Sequence, residues 1–151
     1  MTVGDNERKT QNKVVKFFRN PKGLDYRYLG NLSKALNGNI REDLLAQYLK
    51  RKEYSEVLVD EAIRQMKKAA GDMSDDLYSA NKAVYELLKY GAKVKTAPNK
   101  APQNVYFIDE AHPANNEFAI AEEVTVIENS EKRPDLVIYL NLNYSYFLQI
   151  K

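Results

Sequence analysis

The sequence predicts an α/β fold in which helices come first and a mixed or antiparallel sheet follows, with helices on its faces. Apolar residues recur at three- and four-residue intervals up to Tyr90, as in amphipathic helices. After Gly91 that spacing disappears, Pro98, Pro102 and Pro113 interrupt the chain, and Val, Ile, Tyr and Phe become common. Strands gathered after helices, rather than alternating with them, argue against a repeated βαβ barrel. With 151 residues, 44% of them hydrophobic, the chain can bury one core. One domain over 1–151 is expected, mainly helical over 1–90 and mainly strand over 91–151.

Each element follows from local pattern. From Asp5, Gln11, Val14 and Phe18 fall on one side of a short helix that Asn20-Pro21-Lys22-Gly23 stops. The segment Asp25–Ser33 reads as irregular chain or a short strand, and Asn37-Gly38-Asn39 as a turn. A further helix places Leu44, Leu45, Tyr48 and Leu49 on one face. Ser55 caps the next, from about 56 to 70, whose inward residues are Leu58, Val59, Ala62, Ile63, Met66 and Ala70. Another runs from about Asp76 to Tyr90 on Leu77, Ala80, Val84, Leu87 and Leu88, and the two form an antiparallel pair or flank a sheet. The expected strands are Ala92–Thr96, Asn104–Asp109, Phe118–Ile127, Asp135–Leu140 and Tyr146–Lys151. A polar, flexible loop precedes the third, and a charged one ending in Pro134 precedes the fourth.

Composition excludes several kinds of chemistry. Without cysteine there is no disulfide, zinc ribbon or thiol nucleophile. No apolar run approaches 18 residues and no leader follows Met1, so neither a membrane partner nor secretion is expected, and the cytoplasm is the expected location. The net charge of +2 is unevenly spread: residues 1–52 carry 12 basic and five acidic side chains, and the remainder 11 and 16. A basic first third suits phosphate as well as it suits solvent.

The chemistry sits at the end of the sequence, in RPDLVIYLNLNYSYFLQIK. Asp135 opens an apolar strand, and Gln149 and Lys151, two apart on the next, point to the same face. If the two strands pair through a turn at Asn141–Ser145, the three polar groups meet. Asp135 and Gln149 then offer oxygen ligands for a hard divalent cation such as Mg2+. Lys151 is placed to orient a water and stabilise charge on a phosphate. Arg133 and Lys132 lie beside Asp135, and a guanidinium fork matches phosphate. Tyr26 and Arg27, in a basic stretch, are candidates for nucleic-acid contact, against ordinary half-buried packing of the ring.

The spacing of Pro134-Asp135 and Gln149-x-Lys151 resembles the PD-(D/E)xK nuclease motif. The segments NERKTQNKVVKFF, DYRYLGNL, YSANKAVYELLKYGAKVK, VYFIDE, NNEFAIAEEVTV and KRPDLVIYLN resemble, in that order, the amino-terminal region of type I restriction enzyme R subunits. The resemblance implies a restriction-endonuclease-like core and Mg2+-dependent cleavage of double-stranded DNA. It also implies assembly with modification and specificity subunits. ATP belongs to motor lobes that in this family follow the lysine strand; the chain stops at Lys151, so the resemblance implies a fold truncated after that strand. Gln149 stands where the family pattern has an acid, and LNYSYF where it has a glycine-containing hairpin. A non-catalytic module docking DNA or partner subunits is the alternative that Gln149 leaves open.

Two further features are weaker. His112, the one histidine, is expected to be exposed in its loop beside Asp109 and Glu110. Glu122 and Glu123 fall on opposite faces of an apolar strand, where one approaches the metal site or both face solvent or a basic partner.

Overall fold

A computed structural model describes residues 3–34, 41–71, 77–127, 131–132, 134–141 and 143–148. It has an α/β fold consistent with a restriction-endonuclease-like core. The chain divides into two compact units, Met1–Arg41 with Glu117–Lys151, and Glu42–Asn116.

The first unit is built on a mixed four-stranded sheet. Its helix α1 (Val3–Phe18) buries Gln11 and Val15, with Val14 and Phe18 packed at the edge of the same core. It ends where Asn20 takes over the backbone: the Asn20 carbonyl accepts from the N–H groups of Gly23 at 2.9 Å and Asp25 at 3.0 Å. The chain then enters β1 (Arg27–Asn31), which pairs in parallel with β4 (Phe118–Glu122). Antiparallel to β4 runs β7 (Leu136–Leu140), and antiparallel to β7 runs β8 (Asn143–Leu148), giving the order β1-β4-β7-β8. Ile120 and Leu136 form the sheet's side of the core with Val15. Each side chain so buried contributes about 2 kcal/mol.

Two corrections to the sequence expectation fall here. The long strand expected over Phe118–Ile127 is two, because Glu123 takes a positive φ of 49° that ends β4; Val126–Ile127 then forms β5, paired with β6 (Glu131–Lys132). The hairpin after β7 is also tighter than Asn141–Ser145, since Leu140 already pairs with Asn143. Asn141 makes it possible: it adopts φ +49°, is fully buried, and exchanges bonds with Glu117, its N–H donating at 2.7 Å and its Oδ1 accepting at 2.6 Å. Asparagine tolerates this left-handed backbone better than other non-glycine residues.

The second unit is mainly helical. In α2 (Glu42–Arg51) the buried residues are Leu44, Leu45, Tyr48 and Leu49, and in α3 (Glu56–Gly71) Leu58, Val59, Ala62, Ile63 and Met66, as the periodicity predicts. Ala70, expected inward, is exposed in the last turn. α4 (Leu77–Tyr90) packs on α3, as does the antiparallel pair β2 (Ala92–Val94) and β3 (Gln103–Val105). The strand expected over Asn104–Asp109 stops at Val105, where the Tyr106 N–H donates to the Tyr54 hydroxyl at 3.1 Å instead of to a neighbouring strand. The loop read as flexible is tied down: around a 3-10 turn at Pro113–Asn115, Asn116 accepts from the Asp109 N–H at 2.8 Å and donates to the Asp109 carbonyl at 2.9 Å. His112 is exposed, as expected. Among the described residues, no helix is long and apolar enough to cross a membrane.

Gly91 joins α4 to β2 with φ +77°, and a Cβ there would stand 2.7 Å from the Val105 carbonyl oxygen. Backbone conformation and packing both demand glycine. Gly91→Ala is therefore expected to lower unfolding stability by about 2 kcal/mol, read from the urea midpoint; an unchanged midpoint would contradict this account of the α4–β2 junction.

Candidate functional site

The end of the sheet in the first unit gathers polar residues from four elements. Glu122, the last residue of β4, stands in register with Leu136 at the start of β7. The residue is only 5% exposed, and its carboxylate lies on the face that α1 covers. A carboxylate removed from water is costly unless donors replace the lost hydration. Two donors do so here. The Gln11 side-chain amide donates to Oε1 at 3.1 Å, and the Tyr28 hydroxyl donates to Oε2. This explains why a glutamine occupies the inward face of α1 among Val14, Val15 and Phe18.

The cluster reaches Asp135 through its backbone. The Asp135 carbonyl accepts from Gln11 Nε2 at 3.3 Å and from the Glu123 N–H at 3.0 Å, so the residue before β7 is tied to α1 and to the end of β4. Asp135 itself is half-buried. Three carboxylate-bearing residues, Glu122, Glu123 and Asp135, thus share one end of adjacent strands. Their hard oxygen donors are of the type that Mg2+ takes. Among the described residues, no group of three or more acidic or histidine side chains is assembled closely enough to hold a metal unaided.

Positive charge borders the cluster. Arg19 lies with its guanidinium 4.4 Å from the centre of the Tyr28 ring, and Arg8 approaches the Glu123 carboxylate at 3.8 Å. Glu123 therefore has the basic partner expected for it, whereas Glu122 is bonded to a neutral amide and a phenol. The hydrogen bond to Glu122 holds the Tyr28 phenol above its ordinary value; burial acts in the same direction, and Arg19 and Arg8 oppose it.

The strands that carry the predicted constellation do pair as neighbours, with Leu136 opposite Leu148. Gln149, Lys151 and Arg133 lie outside the described residues, as does the side chain of Lys132, whose backbone belongs to β6. Arg27 is exposed at the start of β1. Tyr26 is half-buried, its ring stacked on Phe118 at 5.1 Å and tilted against Phe18 at 5.1 Å. The Gln11–Glu122–Tyr28 cluster was not singled out from sequence. The available signal was a polar residue at an inward helical position paired with an acid inside an apolar strand.

Tyr28→Phe leaves one buried carboxylate oxygen without its donor and is expected to cost about 1–3 kcal/mol. Because the folded Tyr28 pKa is raised, its contribution is complete below the unfolded tyrosine value near 10 and is lost as pH rises through the higher folded value. Stability measured between pH 8 and 11 should therefore decline less steeply in Tyr28→Phe than in the wild type. Parallel curves would show that the phenol does not interact with Glu122.

A family model described as the type I restriction enzyme R protein N terminus matches residues 5–145. The match takes in the whole polar cluster and Asp135, and it stops before Gln149 and Lys151. Neither a curated protein nor a solved structure matches the chain.

Proposed function

We propose, on the premise that the chain belongs to the family of type I restriction enzyme R protein N termini, that it is a DNA endonuclease domain carrying out metal-dependent phosphodiester hydrolysis. The observation that carries this reading is the position of Asp135. It lies within the family match, directly before β7, with its backbone fixed by Gln11 and by the Glu123 N–H at the end of β4.

In this reading Asp135 and Gln149 would hold Mg2+, which when bound supplies charge neutralisation at the scissile phosphate and acidifies water. The chain's own residues do the rest. Lys151 orients the attacking water and stabilises the negative charge that accumulates on the phosphate oxygens. Arg133 and Lys132 hold neighbouring phosphates, with Tyr26 and Arg27 as further contacts along the strand. Gln11 and Tyr28 act through Glu122, holding the end of the sheet so that Asp135 needs no reorganisation when substrate arrives. Double-stranded DNA is the substrate, modification and specificity subunits are the partners, ATP serves motor lobes and not this domain, and the cytoplasm is the place of action.

Gln149 favours a second reading, a docking module for DNA or partner subunits, because a neutral amide removes one negative charge from the ligand pair. A plasmid-cleavage assay on the assembled restriction complex separates the two. Cleavage in Mg2+ should fall at least about 100-fold in Asp135→Ala, in the range of ~10²–10³ that follows loss of one electrostatic group, while DNA binding persists. If instead only Gln149→Glu cuts and the unaltered protein does not, the docking reading is correct.

A further inference from the structure

The second unit carries a surface that the nuclease reading does not use. On α4, Tyr78, Lys82, Tyr85 and Lys89 are spaced by four, three and four residues, which aligns them on one face of a helix. That face is turned away from Ala80, Val84 and Leu87. The rings stand in water: Tyr78 is 76% exposed and Tyr85 58%. Over the 11 residue steps from Tyr78 to Lys89 the stripe runs about 16 Å.

At its lower end the stripe meets a cavity of about 350 Å³ walled by Tyr48, Tyr54, Tyr106, Ile108, Lys52 and Lys89. Lys89 belongs to both. Its ammonium lies 5.6 Å from the Tyr85 ring and 5.3 Å from the Tyr90 ring, within cation–π range of each. Tyr106, 48% exposed, lines the cavity wall.

The cavity lining carries two lysines and two acids, Lys52 and Lys89 with Asp109 and Glu110, and the helix stripe adds Lys82. Lys52 is engaged by Asp109 at 3.0 Å, and Glu110 also lines the cavity. Lys82 and Lys89 form no ion pair with an acidic side chain among the described residues; the Lys89 ammonium is held by the Tyr90 and Tyr85 phenols, which are neutral and leave its charge uncompensated. Rings alternating with ammonium groups suit a ligand that itself alternates flat π faces with phosphates. In a duplex the base faces are hidden within the stack, whereas in a single strand they are free.

We propose that the Tyr78–Lys82–Tyr85–Lys89 face of α4, with the cavity beside Tyr106, is a binding track for single-stranded nucleic acid. Bases stack on Tyr78, Tyr85 and Tyr106, and Lys82 and Lys89 neutralise the phosphates between them. The track does not depend on Asp135 or on a metal.

Fluorescence anisotropy of a labelled 15-nucleotide oligothymidine with the full chain, in EDTA and low salt, tests it. Working in EDTA keeps the result separate from any failure of the nuclease reading. Tyr85→Ala and Tyr106→Ala should each weaken binding about tenfold, within the range for loss of one stacked base. Tyr85→Phe should bind within about twofold of wild type, because the π face is kept. Lys89→Ala should reduce the slope of log affinity against log salt by about 0.7. Tyr85 is exposed, so its substitution is informative even if Tyr106→Ala disturbs the fold by circular dichroism. Unaltered affinity in Tyr85→Ala overturns the proposal. So does equal competition by a 15-base-pair duplex or by polyglutamate, which would mark the face as a general anion or acidic-protein surface.

Discussion

The arrangement of the first unit depends on one buried carboxylate. Glu122 ends a central strand with its oxygens withdrawn from water, and an unpaired charge in that position would cost several kcal/mol. Gln11 and Tyr28 supply the donors, which dictates that α1 presents an amide inward and that β1 lies beside β4 with its tyrosine turned toward the same point. Gln11 carries the constraint one residue further by donating to the Asp135 carbonyl. Hydrogen bonds to a charged group are each worth about 1.5–3 kcal/mol. A cluster with several such bonds is stiff, and stiffness is what a site needs if a ligand is to be held without reorganisation.

The two units use different physics. In the first, a polar cluster at the end of a sheet fixes the backbone on which acidic side chains sit. In the second, an apolar core formed by α2, α3 and β2 supports a helix whose outer face alternates rings with ammonium groups. Burial there provides stability, and the exposed face of α4 takes no part in that core. Gly91 and the Asp109–Asn116 bonds set the chain's path where side-chain packing does not.

Helical faces were the most legible part of the sequence. The inward residues of α2 follow from spacing alone, because a helix buries a stripe that its own periodicity defines. The resemblance to type I restriction R subunits is borne out over residues 5–145. The parallel pairing of β1 with β4 was not legible, since it joins segments separated by the whole second unit and no local pattern encodes it. Strand ends were misread for two different reasons: the Tyr54 hydroxyl takes the Tyr106 N–H and ends β3 early, and the positive φ of Glu123 divides a run that alternates well on paper. Gln11 appeared in the helical pattern as one inward residue among three, yet its partner was hidden because Glu122 lies 111 positions away.

The central claim is that the Asp135 carboxylate, placed by this cluster, is a ligand for a hard divalent cation. Titrating the chain with Mn2+ while following backbone amide resonances tests it without reference to activity, since the paramagnetic ion broadens only signals close to it. The account predicts that the amides of Glu123, Asp135 and Leu136 broaden first and that Asp135→Asn abolishes the effect. Sharp signals at those three positions, or the same broadening in Asp135→Asn, would contradict it.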